Sequence, residues 1–453
     1  MTLDGEEDPN AITEHGRFTL AADVDDDGTI TEVEFWSGNT LLETLTGAPY
    51  ELSIAFSSVD SGLREFRAVA TDDAGQVAED SVEVSVNIAG GNLENIDHDL
   101  FDGVILPVSV ADSIGGAITE INGRIYVSAT QSSGDGILLA TLPELETQWQ
   151  REFDGPLWSL SSAIDDNHLA VAVSEAESWV AYVLDLPTGD TSTSWTLGPE
   201  PANGILGPHI TSTSAGLLAT TTATDVALFD TRGALLEDGF SVGSGVITEL
   251  VTASDDSLVY VSFGDALNAS STTCATNSDF CAQAVEPGNG VLWVTGLSEQ
   301  PAGIHRIAPT DDGGAFVAAA LDSSEFGFEL HKLTPQGVIV DTSLQGESGP
   351  DESGDRVRSL SPDNKGGVVA CGGTGFLIDE DSSPSPFVAA FDPDLNLVWL
   401  LRDFVEAEDG AYAMACAVTD EAVYVYGLRD MVVEFLDEEP VAVGSAWLAR
   451  ISL

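Results

Sequence analysis

Phe387-Val388-Ala389-Ala390-Phe391-Asp392-Pro393-Asp394-Leu395-Asn396-Leu397-Val398-Trp399 joins a short apolar strand, a Pro/Asn turn and a second strand carrying tryptophan. The unit returns as Phe280-Cys281-Ala282-Gln283-Ala284-Val285-Glu286-Pro287-Gly288-Asn289-Gly290-Val291-Leu292-Trp293, and as Val180 to Gly189 leading to Trp195. Leu138 to Leu142 followed by Trp149 is a further copy. A companion half recurs beside them, strand–turn–strand pairs centred on Asn122-Gly123, Asp166-Asn167, Ala215-Gly216, Asp255-Asp256, Asp312-Gly313, Asn364 to Gly366 and Asp420-Glu421. Intervals of 40–57 residues suit sheets of four antiparallel strands that cannot bury their faces alone and must stack on one another.

Seven companion halves are present, but the last unit stops at Ala446-Trp447-Leu448-Ala449-Arg450-Ile451-Ser452-Leu453, a third strand with nothing after it. An unpaired strand, Leu100 to Val108, lies before the first complete unit. Pairing it as the outer strand of the last unit closes a ring and removes an exposed edge. The expected fold is all-β, with a seven-bladed β-propeller over residues 97–453 closed by an N-terminal strand. The units resemble the short propeller repeats of bacterial exported proteins, and Leu184-Asp185-Leu186-Pro187-Thr188-Gly189 with Trp195 is also similar to quinoprotein-type blades. Either resemblance implies an architecture and leaves the chemistry open.

Upstream, period-two alternation marks strands at about 17–23, 30–36, 40–45, 50–56, 63–70 and 77–88, each bounded by Gly, Asp, Asn or Pro. Phe18 to Asp23, Asp27 to Phe35, Ala48-Pro49-Tyr50 and Phe66 to Gly75 resemble the bacterial Ig-like modules appended to secreted carbohydrate-active enzymes and adhesins. That resemblance covers residues 10–89 and implies a β-sandwich acting as spacer or adhesive module, without catalytic residues. Residues 1–9 read as a disordered tail and 90–96 as a linker.

Asp23-x-Asp25-x-Asp27-Gly28-x-Ile30-x-x-x-Glu34 has the spacing of an EF-hand loop. The flanks alternate with period two, so the helix that would carry the last ligand is absent and the EF-hand is rejected. If the loops at the two ends of this stretch share one end of the sandwich, Asp23, Asp25 and Asp27 approach Asp72 and Asp73. Such a carboxylate set suits Ca²⁺; the alternative is two solvated turns in which Asp serves as a turn residue. No organic cofactor is expected.

Charge narrows the partners. Asp+Glu 76 against Lys+Arg 14 gives a net charge of −62, and only Lys332 and Lys365 are lysines. Such a surface repels nucleic-acid phosphates and anionic lipid and attracts cations. Its self-repulsion is screened as the Debye length shortens from ~10 Å at 0.1 M salt to ~3 Å at 1 M, which fits a saline setting. No apolar run reaches membrane-spanning length, and the opening Met1-Thr2-Leu3-Asp4 lacks a leader pattern.

The four cysteines point outward from the cytoplasm. Cys274 and Cys281 lie in a polar loop, where a bridge would close a short ring. Cys371 and Cys416 sit at similar depth in neighbouring units, and a second bridge is expected there, the alternative being two small buried thiols. An extracellular or cell-envelope location, with the leader missing from this sequence, accounts for them best.

The loops at 264–279, 374–386 and 429–445 are long and fall on one expected face, where insertions mark a binding surface. Asp379, Glu380 and Asp381 dominate one of them; Arg356 and Arg358, on an expected innermost strand, are the one close basic pair. His15, His98, His168, His209, His305 and His331 are scattered singly, and no Gly-x-Ser-x-Gly elbow, two-His metal spacing or Cys-x-x-Cys is present. The expected function is an exported, monomeric, non-enzymatic binding or structural protein. Its propeller would be a platform for protein or carbohydrate contacts, with the Ig-like domain as spacer. The alternative is a polysaccharide-acting hydrolase or lyase with its site at the channel mouth, disfavoured because the twelve arginines and two lysines cluster so little.

Overall fold

The middle strands of the repeat are apolar along their whole length, and the outer ones alternate, which is the pattern of sheets stacked face to face with one edge in water. The structure, a computed structural model, describes residues 1–4, 11–88, 90–105, 116–200, 207–242, 246–253, 257–264, 280–287, 289–298, 306–320, 327–345, 355–374, 384–408, 410–436 and 439–453. Apart from one 3-10 turn at Ser58–Asp60, every regular element described is a strand, and among these residues no helix is long and apolar enough to cross a membrane. Contacts divide the chain into two units, with the main boundary after Gly91.

The first unit is a sandwich. One sheet holds Thr2–Leu3, Gly16–Ala22 and Tyr50–Phe56; the other orders Thr40–Leu45, Ile30–Ser37, Gly62–Asp72 and Val77–Val86. Alternation places Val33 and Phe35, Phe66, and Val82 and Val84 on inner faces, where they meet Leu20 and Phe56 in one core. Ile30–Ser37 follows the Asp-rich loop directly as a strand, so the EF-hand spacing there is a coincidence of turn residues.

In the second unit six consecutive groups of four strands form antiparallel sheets in sequence order. Their first strands are Gly116–Ile121, Leu157–Asp165, Ile210–Thr213, Val246–Thr252, Arg306–Pro309 and Asp355–Pro362. A seventh sheet combines Ala411–Val418, Ala422–Leu436 and Glu439–Ser452 with Asn92–Asp97. In the first sheet, strands Arg124–Thr130 and Gly136–Thr141 are buried almost throughout, whereas the outermost, Thr147–Phe153, alternates. First strands of successive sheets are neighbours, and Ala411–Val418 of the seventh lies beside Gly116–Ile121 of the first.

Three boundaries differ from the sequence reading. Thr2–Leu3, placed in the expected disordered tail 1–9, is a strand paired with Gly16–Ala22, and Leu3 is buried in the sandwich core, which its apolar side chain favours. Asn92–Asp97, assigned to the 90–96 linker, is a strand paired with Leu448–Ser452, and Asp102–Ile105, from the expected 100–108 strand, continues along Ala442–Ser445. Asn92–Asp97 is the outer strand of its sheet and mostly exposed, so no burial alternation marks it. The expected loop 429–445 is largely an extended hairpin, with Val432 paired to Val443 and Leu436 to Glu439; its Val-rich arms prefer strand despite the acids between them. Loop 264–279 lies mostly outside the described residues, as does most of 374–386.

Tryptophan keys the sheets together. Trp149, on the outermost strand of the first sheet, donates its Nε1–H to the Leu186 carbonyl in the last turn of the second (3.1 Å). Trp293 of the fourth sheet likewise donates to Pro335 of the fifth (3.0 Å). Each ring covers a turn glycine of the next sheet: Trp149 over Gly189, Trp195 over Gly233, Trp293 over Gly337. These glycines have φ of +74°, +82° and +74°, a left-handed backbone in which a Cβ would be strained and would press within 2.8 Å of the ring.

Cys371 and Cys416 form a disulfide between the second strand of the sixth sheet and the first strand of the seventh, with Cα atoms 6.2 Å apart. Cys281 is buried and disulfide-bonded; Cys274 lies outside the described residues.

Candidate functional site

The first strands of all seven sheets converge on one cavity of about 290 Å³. Backbone irregularity shapes its wall. First-to-second strand pairing skips a residue at Trp158, Thr248, Arg358 and Met414, in the second, fourth, sixth and seventh sheets. Such bulges kink a strand and re-aim the inserted side chain, and all four residues line the cavity.

Hydroxyls on this wall mostly tie neighbouring strands together. Ser159 Oγ donates to the Pro208 carbonyl (3.2 Å) and accepts from Ile210 N–H (3.0 Å). Thr211 and Thr252 share a hydroxyl–hydroxyl bond, and Thr252 Oγ1 donates to the Ser212 carbonyl (2.7 Å). Thr248 meets Ser262 at 2.8 Å. Polar groups enclosed at a sheet junction need such partners.

Three ionisable groups gather between the third and fifth sheets. Glu249 Oε2 accepts the Ile307 backbone N–H at 2.6 Å. Burial pushes its carboxyl up to about 7, against the pull of the nearby Arg306 guanidinium and that hydrogen bond. His209 is driven down to about 4 by burial and then by the Arg306 charge, opposed by its hydrogen bond to the Ile247 backbone. Arg306 Nε donates to the Arg358 carbonyl. Near neutral pH the wall thus holds a neutral imidazole and a carboxyl close to its midpoint. That set can bind and exchange a proton, but it places no nucleophile beside a base.

Arg358 borders this cavity, but its side chain is only 4% exposed. Its guanidinium lies over the Tyr412 ring, 5.0 Å from the centroid, between the sixth and seventh sheets. Arg356 belongs to the same strand, and its side chain lies outside what is described. Asp379, Glu380 and Asp381 lie outside the described residues. Glu249, Arg306 and His209 escaped the sequence reading as a group because they come from three different sheets. The available signal was a charged residue interrupting the apolar and hydroxyl run Val246-Ile247-Thr248-Glu249-Leu250-Val251-Thr252.

The acidic loops of the first unit meet only in part. Asp73 N–H donates to the Thr29 carbonyl (2.9 Å), and the Asp73 and Asp26 carboxylates flank Gly28. Asp72, 7% exposed, accepts from Ala74 N–H (2.8 Å), Gln76 N–H (2.7 Å) and Gln76 Nε2 (3.1 Å) and closes its own turn. Among the described residues no group of three or more His, Cys, Asp or Glu is placed to hold a metal ion. Asp23, Asp25 and Asp27 therefore do not join Asp72 and Asp73 in such a set.

His168 and His331 have structural partners. His168 Nδ1 lies 2.9 Å from the Asp165 carboxylate in its turn, and His331 Nδ1 lies 2.9 Å from Thr342 Oγ1.

A family model described as bacterial Ig domain matches residues 7–67. No curated protein matches the chain. Among solved structures, the WD40 β-propeller domain of Doa1 is similar at 13% identity and TM-score 0.46, over 81% of this chain and 97% of that one. The Cps50 (Swd1) β-propeller domain of Myceliophteria thermophila is similar at 11% identity and TM-score 0.49, over 80% and 99%. The fibronectin(III)-like modules of Clostridium thermocellum CbhA align at 26% identity and TM-score 0.17, over 19% and 93%.

Proposed function

We propose that this is an exported binding protein, in which residues 92–453 form a closed seven-bladed β-propeller serving as a contact platform and the Ig-like unit serves as a spacer. The succession of neighbouring first strands, returning from the seventh sheet to the first, and the capture of Asn92–Asp97 by the chain's last strand support the closed ring. The Cys371–Cys416 disulfide suits an oxidising, extracytoplasmic setting.

The makeup of the axial cavity carries the choice of binding over catalysis. Among the described residues that line it, Glu249 is the only carboxylate, whereas glycoside hydrolysis ordinarily needs a carboxyl pair flanking the bond. Several wall hydroxyls already bond across strands, and Arg358 is packed on Tyr412. Such a wall holds the sheets together and leaves the outer surfaces for partners.

The test is a panel of soluble glycans and proteins titrated against the purified chain at low and high salt, with polysaccharide turnover assayed in the same samples. Saturable binding without turnover is expected. Turnover abolished by Glu249→Gln, with binding retained, would establish the polysaccharide-acting reading instead.

A further inference from the structure

Between the third and fourth sheets the tryptophan key is missing, and we propose that this seam is a docking groove for an extended, lysine- or arginine-bearing segment of a partner protein that seats one apolar side chain. The inference rests on the platform reading and locates one contact on it.

Three observations converge on the seam. Glu237 stands on the third sheet's outermost strand opposite Leu228, as Trp149 stands opposite Ala140 and Trp293 opposite Ala284 in their sheets. Gly290, in the facing turn, has φ +90° like the covered turn glycines, yet a Cβ built there meets nothing within 4 Å. Where an indole would lie there is a cavity of about 40 Å³, walled by Leu218, Leu228, Phe240 and Val285, with Glu237 and Glu286 on its polar side.

One flank carries exposed apolar side chains in a chain of net charge −62. Val291 and Val294 are 47% and 40% exposed on the fourth sheet's outermost strand. Val291 pairs with Val285, which walls the cavity, and Val294 pairs with Gln283 two residues before Val285, so both lie on the face turned to the third sheet. The corresponding strand of the second sheet, Thr191–Pro199, begins instead with Thr191-Ser192-Thr193-Ser194. Both strands flanking the seam are the last of their sheets, so each presents an edge that an added strand can pair with.

Charge selects the occupant. A second copy of so acidic a chain is repelled, and no lysine or arginine lines the cavity. A basic side chain beside the anchor would satisfy Glu237 and Glu286 while the anchor fills the apolar floor, the arrangement of a small buried hot spot with a polar rim.

The experiment is fluorescence anisotropy of a labelled ten-residue peptide alternating lysine and valine around one central leucine, with the whole chain. The control peptides carry alanine at the centre or glutamate for every lysine. The leucine–lysine peptide should bind at least about tenfold tighter than the equally charged alanine peptide. Glu237→Trp, which refills the seam, should weaken binding by a similar factor while unfolding stays cooperative. Glu237→Gln leaves the cavity open and should keep the leucine preference with weaker binding. Equal affinity for the leucine and alanine peptides, or unchanged affinity in Glu237→Trp, overturns the groove and assigns peptide binding to bulk charge. A dimer in sedimentation that Glu237→Trp dissociates overturns it in favour of a second copy. Failure of the platform reading is recorded separately, as polysaccharide turnover.

Discussion

In the seam between the fourth and fifth sheets, Trp293 donates to the Pro335 carbonyl and lies flat on Gly337. In the seam just before it, the same backbone framework offers Glu237 and an uncovered Gly290. The third and fourth sheets share a packed core without an indole, so the sheets do not need one to stack. A buried ring adds roughly 3–5 kcal/mol of packing where it is present. Where it is absent the seam keeps apolar walls, and the surface at its mouth becomes available to something else.

Trp293→Ala offers the strongest challenge to this contrast. It should lower unfolding stability by roughly 3–5 kcal/mol in denaturant titration, because it removes a 9% exposed ring and its hydrogen bond together. A loss below about 1 kcal/mol would mean the filled seams owe little to tryptophan.

A pair of alanine substitutions separates backbone strain from ring contact. Gly337→Ala and Gly290→Ala both place a Cβ at positive φ, costing roughly 1–2 kcal/mol each. Only at Gly337 does that Cβ also meet an indole, at 2.5 Å. Gly337→Ala should therefore be the more destabilising by roughly 1–3 kcal/mol, and equal effects would erase the distinction between the seams.

Glu237→Trp runs the comparison in reverse. Filling the empty seam should stabilise the chain by about 0.5–2 kcal/mol, seen as a higher thermal midpoint.

The inner end of the same sector supplies the subtlest effect, a pH profile. Burial lifts Glu249 from 4.5 to about 7, so between those values the folded chain holds a proton the unfolded chain lacks, and stability falls as pH rises. His209 is lowered from 6.5 to about 4, so in its window the unfolded chain holds the extra proton and stability falls as pH drops. The two slopes oppose each other between pH 4.5 and 6.5 and give a plateau. Glu249→Gln should remove the alkaline fall, adding on the order of 1 kcal/mol at pH 8, and should leave a stability that declines continuously as pH drops below 6.5. Chemical denaturation across pH reads both changes.

The tryptophans were legible in the chain because each follows its turn at nearly constant spacing, and that repeat predicts the stacked sheets. Glu237 went unread because the same rule, applied to Asp230-Thr231-Arg232-Gly233-Ala234-Leu235-Leu236-Glu237, finds no ring, and a missing residue leaves no mark in a pattern of presences. The bulges at Trp158 and Arg358 were hidden for another reason. Skipping one residue in the pairing changes which way a side chain points without changing composition or period.

Local patterning by itself determined most of the strands and turns, the Ig-like unit and the cysteine pair at similar depth, since alternation and turn chemistry act over a few residues. Only the tertiary structure decided that Glu249, His209 and Arg306 share one wall, and that the seam between the third and fourth sheets holds a cavity. Those outcomes depend on which strands become neighbours across 40 to 100 residues of sequence, and burial, pKa and cavity volume are properties of neighbours rather than of the chain.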